Sequence, residues 1–323
     1  MVKVSVIMSV YAEPIEWIKE AINSILNQTF KDFEFIIVND NPIRKENIML
    51  LNNFKSLDYR VVILKNDKNI GLTKSLNKAI EISKGKYIAR MDADDISLPT
   101  RFEKQVDFLE MNEDHIVCGT NIKCFEYKDT TVVYPEDKFM FLFLKSPFAH
   151  PTVMFRNLQK EKGGKIKYNE DFKYAQDYEL WSRLYKLGRF YNLQEVLLKY
   201  RVSEQQISKE KLSEQQFYAG KTRRKAFNNF CKKEKLNFVL SKRINTQELK
   251  RYELNILSLE RWSKIEKDTL LNYKYYLYRS ITEDYLSALL YFIKSLDFLK
   301  MTGKNSLKIL FFLLTRKPNR LIN

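Results

Sequence analysis

The chain has 323 residues, 45% of them hydrophobic and 14% aromatic, with only 8 glycines and a formal charge of +16. That composition excludes a disordered chain and leaves room for one large domain with an appendage, or for two domains. Three cysteines without a CxxC pair or an even framework suit a reducing compartment, and two histidines, His115 and His150, exclude a histidine-rich metal centre.

The opening run "MVKVSVIMSVYAEP" has a short apolar core, and Glu13-Pro14 stands where a signal cleavage site needs small residues, so Val4–Val10 reads as a β-strand. Pro14 then starts a helix with apolar residues at Ile15, Ile18, Ile22, Ile25 and Leu26. "FEFIIVND" (33–40) is a second buried strand, a helix comes next over 44–56, and "YRVVILKND" (59–67) is a third strand. "TKSLNKAIEIS" (73–83) is a helix and "YIARMDADD" (87–95) the fourth strand. Continuous apolar strands separated by helices predict a parallel α/β sheet covered on both faces. Ligands gather beyond the carboxyl ends of such strands, so Tyr11-Ala12-Glu13, Asn39-Asp40, Asn66-Asp67 and Asp92–Asp95 are expected on one rim.

After residue 100 the alternation stops. "LPTRFEKQVDFLEMN" (98–112) predicts a helix, 116–127 and 130–135 a strand pair, and "QDYELWSRLYKLG" (176–188) a helix with Asp177 at its start. From about 205 the chain reads as helical and basic: residues 204–323 hold 25 Lys/Arg against 12 Asp/Glu, whereas 1–203 hold 31 against 28. Within this third, 285–299 is densely apolar and 307–321 is apolar with basic residues at its end, both too short and interrupted to span a bilayer. They fit an interfacial anchor drawn to anionic lipid or, as the alternative, core packing or a homodimer contact. No run in the chain reaches the roughly 18 apolar residues of a membrane span, which places the protein in the cytosol or at a membrane surface.

Asp92, Asp94 and Asp95 put three carboxylates into four residues. Like charges this close repel and resist desolvation, so a cation is expected among them. In an extended segment Asp92 and Asp94 share one side, where Mg²⁺ or Mn²⁺ carrying a diphosphate suits their hard oxygens, while Asp95 faces away to cap the next turn or helix. A solvated turn with the aspartates as helix caps is the other reading of these residues alone.

In order and spacing, "SVYAEP", "IIVNDNP", "NIGLTKSLNKAI", "YIARMDADDISLPTRFEKQVDFL", "HPTVMFR" and "AQDYELWSRL" closely resemble the family-2 glycosyltransferases, above all the bacterial members that build O-antigen and capsular polysaccharides. The likeness covers roughly residues 1–203. It implies a GT-A, Rossmann-like mostly parallel sheet flanked by helices over 1–204, then a basic α-helical C-terminal extension over 205–323. It also implies inverting, metal-dependent sugar transfer from a UDP-sugar to a hydroxyl of an oligosaccharide or undecaprenyl-diphosphate-linked acceptor, by a cytoplasmic enzyme peripheral at the inner face of the cell membrane. Under the resemblance Tyr11 stacks on the base, Glu13 lies near base or ribose, and Asp40 accepts a uracil N3–H. Asn39 stands where many relatives have Asp. Asn69, Gly71 and Lys74 close over the donor; Asp92, Ala93 and Asp94 form its DxD segment, with Asp92 and Asp94 on Mn²⁺ or Mg²⁺. Asp177 is the general base, preceded by Gln176 instead of the usual Glu, and His150, Tyr178, Trp181 and Arg201 are acceptor-side candidates. Ser203 replaces the family's usual His in "KYRVS", which puts a His contact from that loop in doubt. Read without the resemblance, Tyr11, Trp181 and Tyr178 are equally core aromatics, Asp40 a turn former, Lys74 a solvated helix lysine and Asp177 a helix N-cap. Two other functions compete. A nucleotidyltransferase would show a glycine-rich loop after the first strand, and "SVYAEPIEW" has none; a basic nucleic-acid-binding protein would show a recognisable module, and the tail has none.

Overall fold

Val4–Val10 (β1) and Phe33–Asn39 (β2) are buried along their whole length, as expected for strands covered on both faces. The computed structural model describes residues 2–134, 136, 145–158, 166–203, 212–233, 247 and 250–251. In chain order the elements are β1, α1 (Ile15–Leu26), β2, α2 (Lys45–Leu57), β3 (Val61–Lys65), α3 (Leu72–Ile82), β4 (Tyr87–Arg90), β5 (Ile96–Ser97) and α4 (Arg101–Met111). They continue with β6 (His115–Glu126), β7 (Thr130–Val132), a 3-10 turn at His150–Thr152, β8 (Met154–Arg156), α5 (Gln176–Leu184), β9 (Arg189–Val202) and α6 (Leu212–Lys233).

One sheet runs β3-β2-β1-β4-β8-β6-β9-β5, with β7 beside β6. β3, β2, β1 and β4 are parallel, and so is the long β6–β9 ladder; β8, β5 and β7 add short antiparallel pairings. The architecture is therefore the α/β, mostly parallel sheet expected from the strand pattern. Val4, Val6, Met8 and Val10 point to one face and pack with Ile18, Ala21, Ile22 and Ile25 of α1 and Phe102, Val106 and Leu109 of α4. That i, i+3, i+4, i+7 stripe is the one the sequence of α1 displays. α3 lies against β1 and β2, burying Leu76, Ala79 and Ile80.

The chain divides into two compact units, residues 1–139 with 146–212 and residues 140–145 with 213–323. The first contains the sheet. In the second, the part of α6 beyond Leu212 buries Thr222, Ala226, Phe227, Phe230 and Cys231, a helical stripe. The apolar stretches at 285–299 and 307–321 lie outside the described residues. Among the described residues, no helix is long and apolar enough to cross a membrane.

Three details differ from the sequence expectation. β4 stops at Arg90, so Asp92–Asp95 lie in a turn and not an extended segment. The helix expected over 176–188 ends at Leu184 and gives way to a turn. The 14-residue β9 was not expected as a strand; it is held by pairing with the distant β6.

Candidate active site

The registers bring the four strand ends to one edge: Val10 lies beside Asn39, Asn39 beside Lys65, and Ile7 beside Arg90. After β1 the chain turns at Tyr11–Glu13. Tyr11 is 45% exposed, and its backbone N–H donates to Glu13 Oε2 at 2.8 Å. Asn47 Nδ2 donates to Tyr11 O (2.9 Å) and Arg44 Nη1 to Glu13 O (2.8 Å), so α2 and the residue before it hold this loop. Burial raises the Glu13 carboxyl above the ordinary range, and the charge of Asp92 raises it further.

Asp40 is only 2% exposed. Its Oδ1 accepts hydrogen bonds from Asn66 Nδ2 (2.8 Å) and Ile70 N (2.9 Å), and its Oδ2 from Gly71 N (2.9 Å). A carboxylate offers about four acceptor positions, so about one remains, on Oδ2. Asp40 thus fastens the 66–71 loop to the end of β2, a role its sequence position did not announce. Asn69 Oδ1 also accepts from Gly71 N at 2.9 Å. Gly71 itself has φ +83°, a left-handed conformation that suits glycine. Lys74 is exposed on α3, one turn from this loop. Asn39 is buried, with Oδ1 accepting from Asn41 N at 3.1 Å.

The turn after β4 gathers Asp92, Asp94 and Asp95 so that one oxygen of each lies within 4.8 Å of the others. Asp95 therefore does not face away, and α4 starts without a side-chain cap. Instead Asp95 Oδ1 accepts the backbone N–H of Arg201 at 2.8 Å, while its buried Oδ2 has no partner among the described residues. Burial and the charges of Asp92 and Glu13 push the Asp94 carboxyl up to about 7. Asp95 is raised strongly by its complete burial and by Asp94 and Asp92. A partly buried cluster of hard oxygens with a carboxylate oxygen unpartnered among the described residues fits a divalent cation, and Asp92 and Asp94 are the members that reach the partly open side of the turn.

Protein cations also stand here. Arg90 Nη2 donates to Asp92 Oδ1. Arg201, expected on the acceptor side, is buried: its Nε donates to Asp94 O at 2.7 Å, and its other nitrogens reach Glu126 and Glu20. Its guanidinium lies over the Trp17 and Phe125 rings, 4.7 and 4.5 Å from their centroids. Those contacts make it a pin that ties β9 to the acidic turn, β6 and α1.

Asp177 sits in the first turn of α5, two residues after the cap. The cap is Ala175, in the left-handed region at φ 54°, with no side-chain hydrogen bond. Ser146 Oγ donates to Asp177 Oδ2 at 3.2 Å. Burial raises the Asp177 carboxyl, and the charge of Asp92 adds to the rise. His150 Nε2 lies 2.8 Å from Tyr168 Oη. Burial and the charge of Arg90 hold its imidazole well below the usual pKa, hence neutral. Tyr178 and Trp181 are buried, and the Trp181 ring meets Phe148, His150 and Phe155 edge-on. Their packing is that of core aromatics, with His150 between Trp181 and Tyr168. Sequence reasoning passed over Arg90 and Ser146, whereas Asn66 stands on the expected rim and holds Asp40. An arginine inside the apolar strand "YIAR" was a visible signal; Ser146 carried none.

Residues 5–171 match the model of the family described as Glycosyl transferase family 2. An uncharacterized glycosyltransferase of Methanocaldococcus jannaschii is 37% identical over 242 residues, covering 71% of this chain and 81% of its own. The O-antigen biosynthesis glycosyltransferase WbnJ of Escherichia coli is 36% identical over 221 residues, 65% of this chain and 84% of WbnJ. Among solved structures, TarS 1–349 of S. aureus in complex with UDP-GlcNAc superposes with a TM-score of 0.59 at 16% identity, over 97% of this chain and 92% of that one.

Proposed function

The chain belongs to glycosyl transferase family 2, and from that premise we propose that it is a metal-dependent, inverting transferase. It moves a hexose or N-acetylhexosamine from a UDP-sugar to a hydroxyl of a lipid-linked oligosaccharide in surface polysaccharide assembly. The observation that carries the proposal is geometric: the turn after β4 brings one oxygen each of Asp92, Asp94 and Asp95 within 4.8 Å, at the sheet edge where β1 and β2 end in Tyr11–Glu13 and Asn39-Asp40. The charge of Asp92 also acts on Asp177 of α5, which supports reading a candidate base beside these carboxylates. The UDP-GlcNAc bound to TarS supports the choice of donor, and the role named for WbnJ supports the pathway class.

In this reading Tyr11 stacks on the uracil, and the remaining acceptor position of Asp40 takes its N3–H. Glu13 lies by the ribose, and Asn69, Gly71, Lys74 and Ala93 line the diphosphate side. Asp92 and Asp94 would hold Mg²⁺ or Mn²⁺, which when bound offsets charge on the departing diphosphate. Asp177 takes the proton of the acceptor hydroxyl. The acceptor oxygen bonds to the anomeric carbon from the face opposite the diphosphate, and the C–O bond to phosphate breaks with its electron pair on the leaving oxygen. Neutral His150 orders the acceptor side through Tyr168. The basic last third would hold the enzyme at the anionic inner face of the cell membrane, near a lipid-linked acceptor.

A panel of nucleotide sugars with disaccharide acceptors bearing a lipid-like aglycone, read by mass spectrometry, tests the assignment. Metal-dependent transfer or hydrolysis of a UDP-sugar is expected. Turnover of GDP- or CMP-sugars only, or transfer undiminished by EDTA, would refute it.

A further inference from the structure

The acidic turn comes directly after a buried arginine. Arg90 is the last residue of β4, and strand alternation places Ala89 and Met91 in the core cluster beside α1 and α4, with Arg90 on the opposite face. Its backbone is fixed on both sides: N–H donates to Val153 O at 2.9 Å, and Arg101 Nη2 donates to Arg90 O at 3.2 Å. The side chain is 1% exposed, and one nitrogen, Nη2, meets Asp92 Oδ1. Nε and Nη1 are buried without a hydrogen-bond partner among the described residues.

Stability does not account for an arginine at this position. Burying a cation with two unanswered donors is costly, and a well-packed apolar side chain serves a buried strand position as well or better. Asp92, by contrast, is 27% exposed. A short aspartate on a turn has rotamer freedom, which a charge-assisted hydrogen bond from a rigid strand removes. Burial of Arg90 makes that restraint stiff, because the guanidinium has no solvent to move into.

We infer that Arg90 is a positioning residue: it clamps Asp92 Oδ1 so that the other carboxylate oxygen is set for the donor. The inference rests on the reading of Asp92 as a donor-site carboxylate. It assigns Arg90 no contact with the donor itself.

The test is a double-mutant cycle on Arg90→Lys and Asp92→Asn, with Arg90→Gln as the second variant. The readouts are UDP affinity in Mn²⁺ by calorimetry, half-saturating Mn²⁺, donor KM against kcat, and Tm. A charged hydrogen bond predicts a weakening of UDP–Mn²⁺ binding by about ten- to a hundred-fold in Arg90→Lys. Adding Arg90→Lys to Asp92→Asn should change binding by less than about two-fold, since no carboxylate is left to position. A folded Arg90→Lys or Arg90→Gln with wild-type affinity overturns the inference, as does full additivity with Asp92→Asn. Loss of folding in both variants would assign Arg90 to the fold and also overturn it. If Asp92→Asn itself leaves UDP–Mn²⁺ binding unchanged, the donor-site reading fails instead; Asp92→Asn impaired beside an unimpaired Arg90→Lys fails the Arg90 inference alone.

Discussion

Replacing Asp177 by Asn removes the proposed base while keeping shape and an amide oxygen that still accepts from Ser146 Oγ. Loss of a positioned general base costs roughly 10²- to 10⁴-fold in rate, so kcat should fall by that factor with donor KM within about two-fold. The stability effect has the opposite sign. Burial raises the folded-state pKa of Asp177, so the contribution of this group is present below its unfolded pKa and is lost as pH rises through the folded value. At neutral pH the ionised carboxylate therefore weakens the fold, and a neutral Asn should leave Tm unchanged or higher. The raised pKa also predicts that wild-type kcat/KM declines on acidification from a pH above the ordinary carboxylate range. The assay is initial-rate transfer from the UDP-sugar across pH, paired with thermal melts of both proteins. Transfer by Asp177→Asn within ten-fold of wild type, or a clear loss of Tm, would refute the reasoning.

Tyr11→Ala should weaken donor binding by about ten-fold, because base stacking on an aromatic is worth about 1–3 kcal/mol, with Tm unaffected at this exposed position; donor titration reads it. Asp40→Ala leaves the donors of Asn66, Ile70 and Gly71 without their acceptor, so a loss of about 3 kcal/mol and a fall in Tm of about 6–12 °C are expected; calorimetric melting checks it. Ala175→Gly relieves a left-handed alanine and should raise Tm by about 2 °C, with activity indicating whether the strain serves Asp177.

Much of the first half was legible because its signals are local. The apolar runs of β1 and β2, the helical stripe of α1 and the polar residues closing each strand required no distant partner to be read, and the structure puts them on one rim. The acidic turn was legible as a motif but not in shape. Its curl depends on Asp95 meeting the Arg201 backbone, 106 residues along the chain. β9 was missed because "RFYNLQEVLLKYRV" carries polar residues and mixed burial, and its extended form comes from pairing with β6. Trp181 and Arg201 illustrate the same limit: the resemblance suggested an acceptor-side surface, while packing puts Trp181 among aromatics, as its residue type suggested, and spends Arg201 on Glu20, Glu126 and the acidic turn.

The most direct test of the account is calorimetric titration of UDP into the wild-type protein and Asp94→Ala, each with and without Mn²⁺. The account predicts binding to wild type that strengthens sharply with Mn²⁺ and a loss of that metal dependence in Asp94→Ala. UDP affinity that is the same with and without metal, or that survives Asp94→Ala intact, would contradict it.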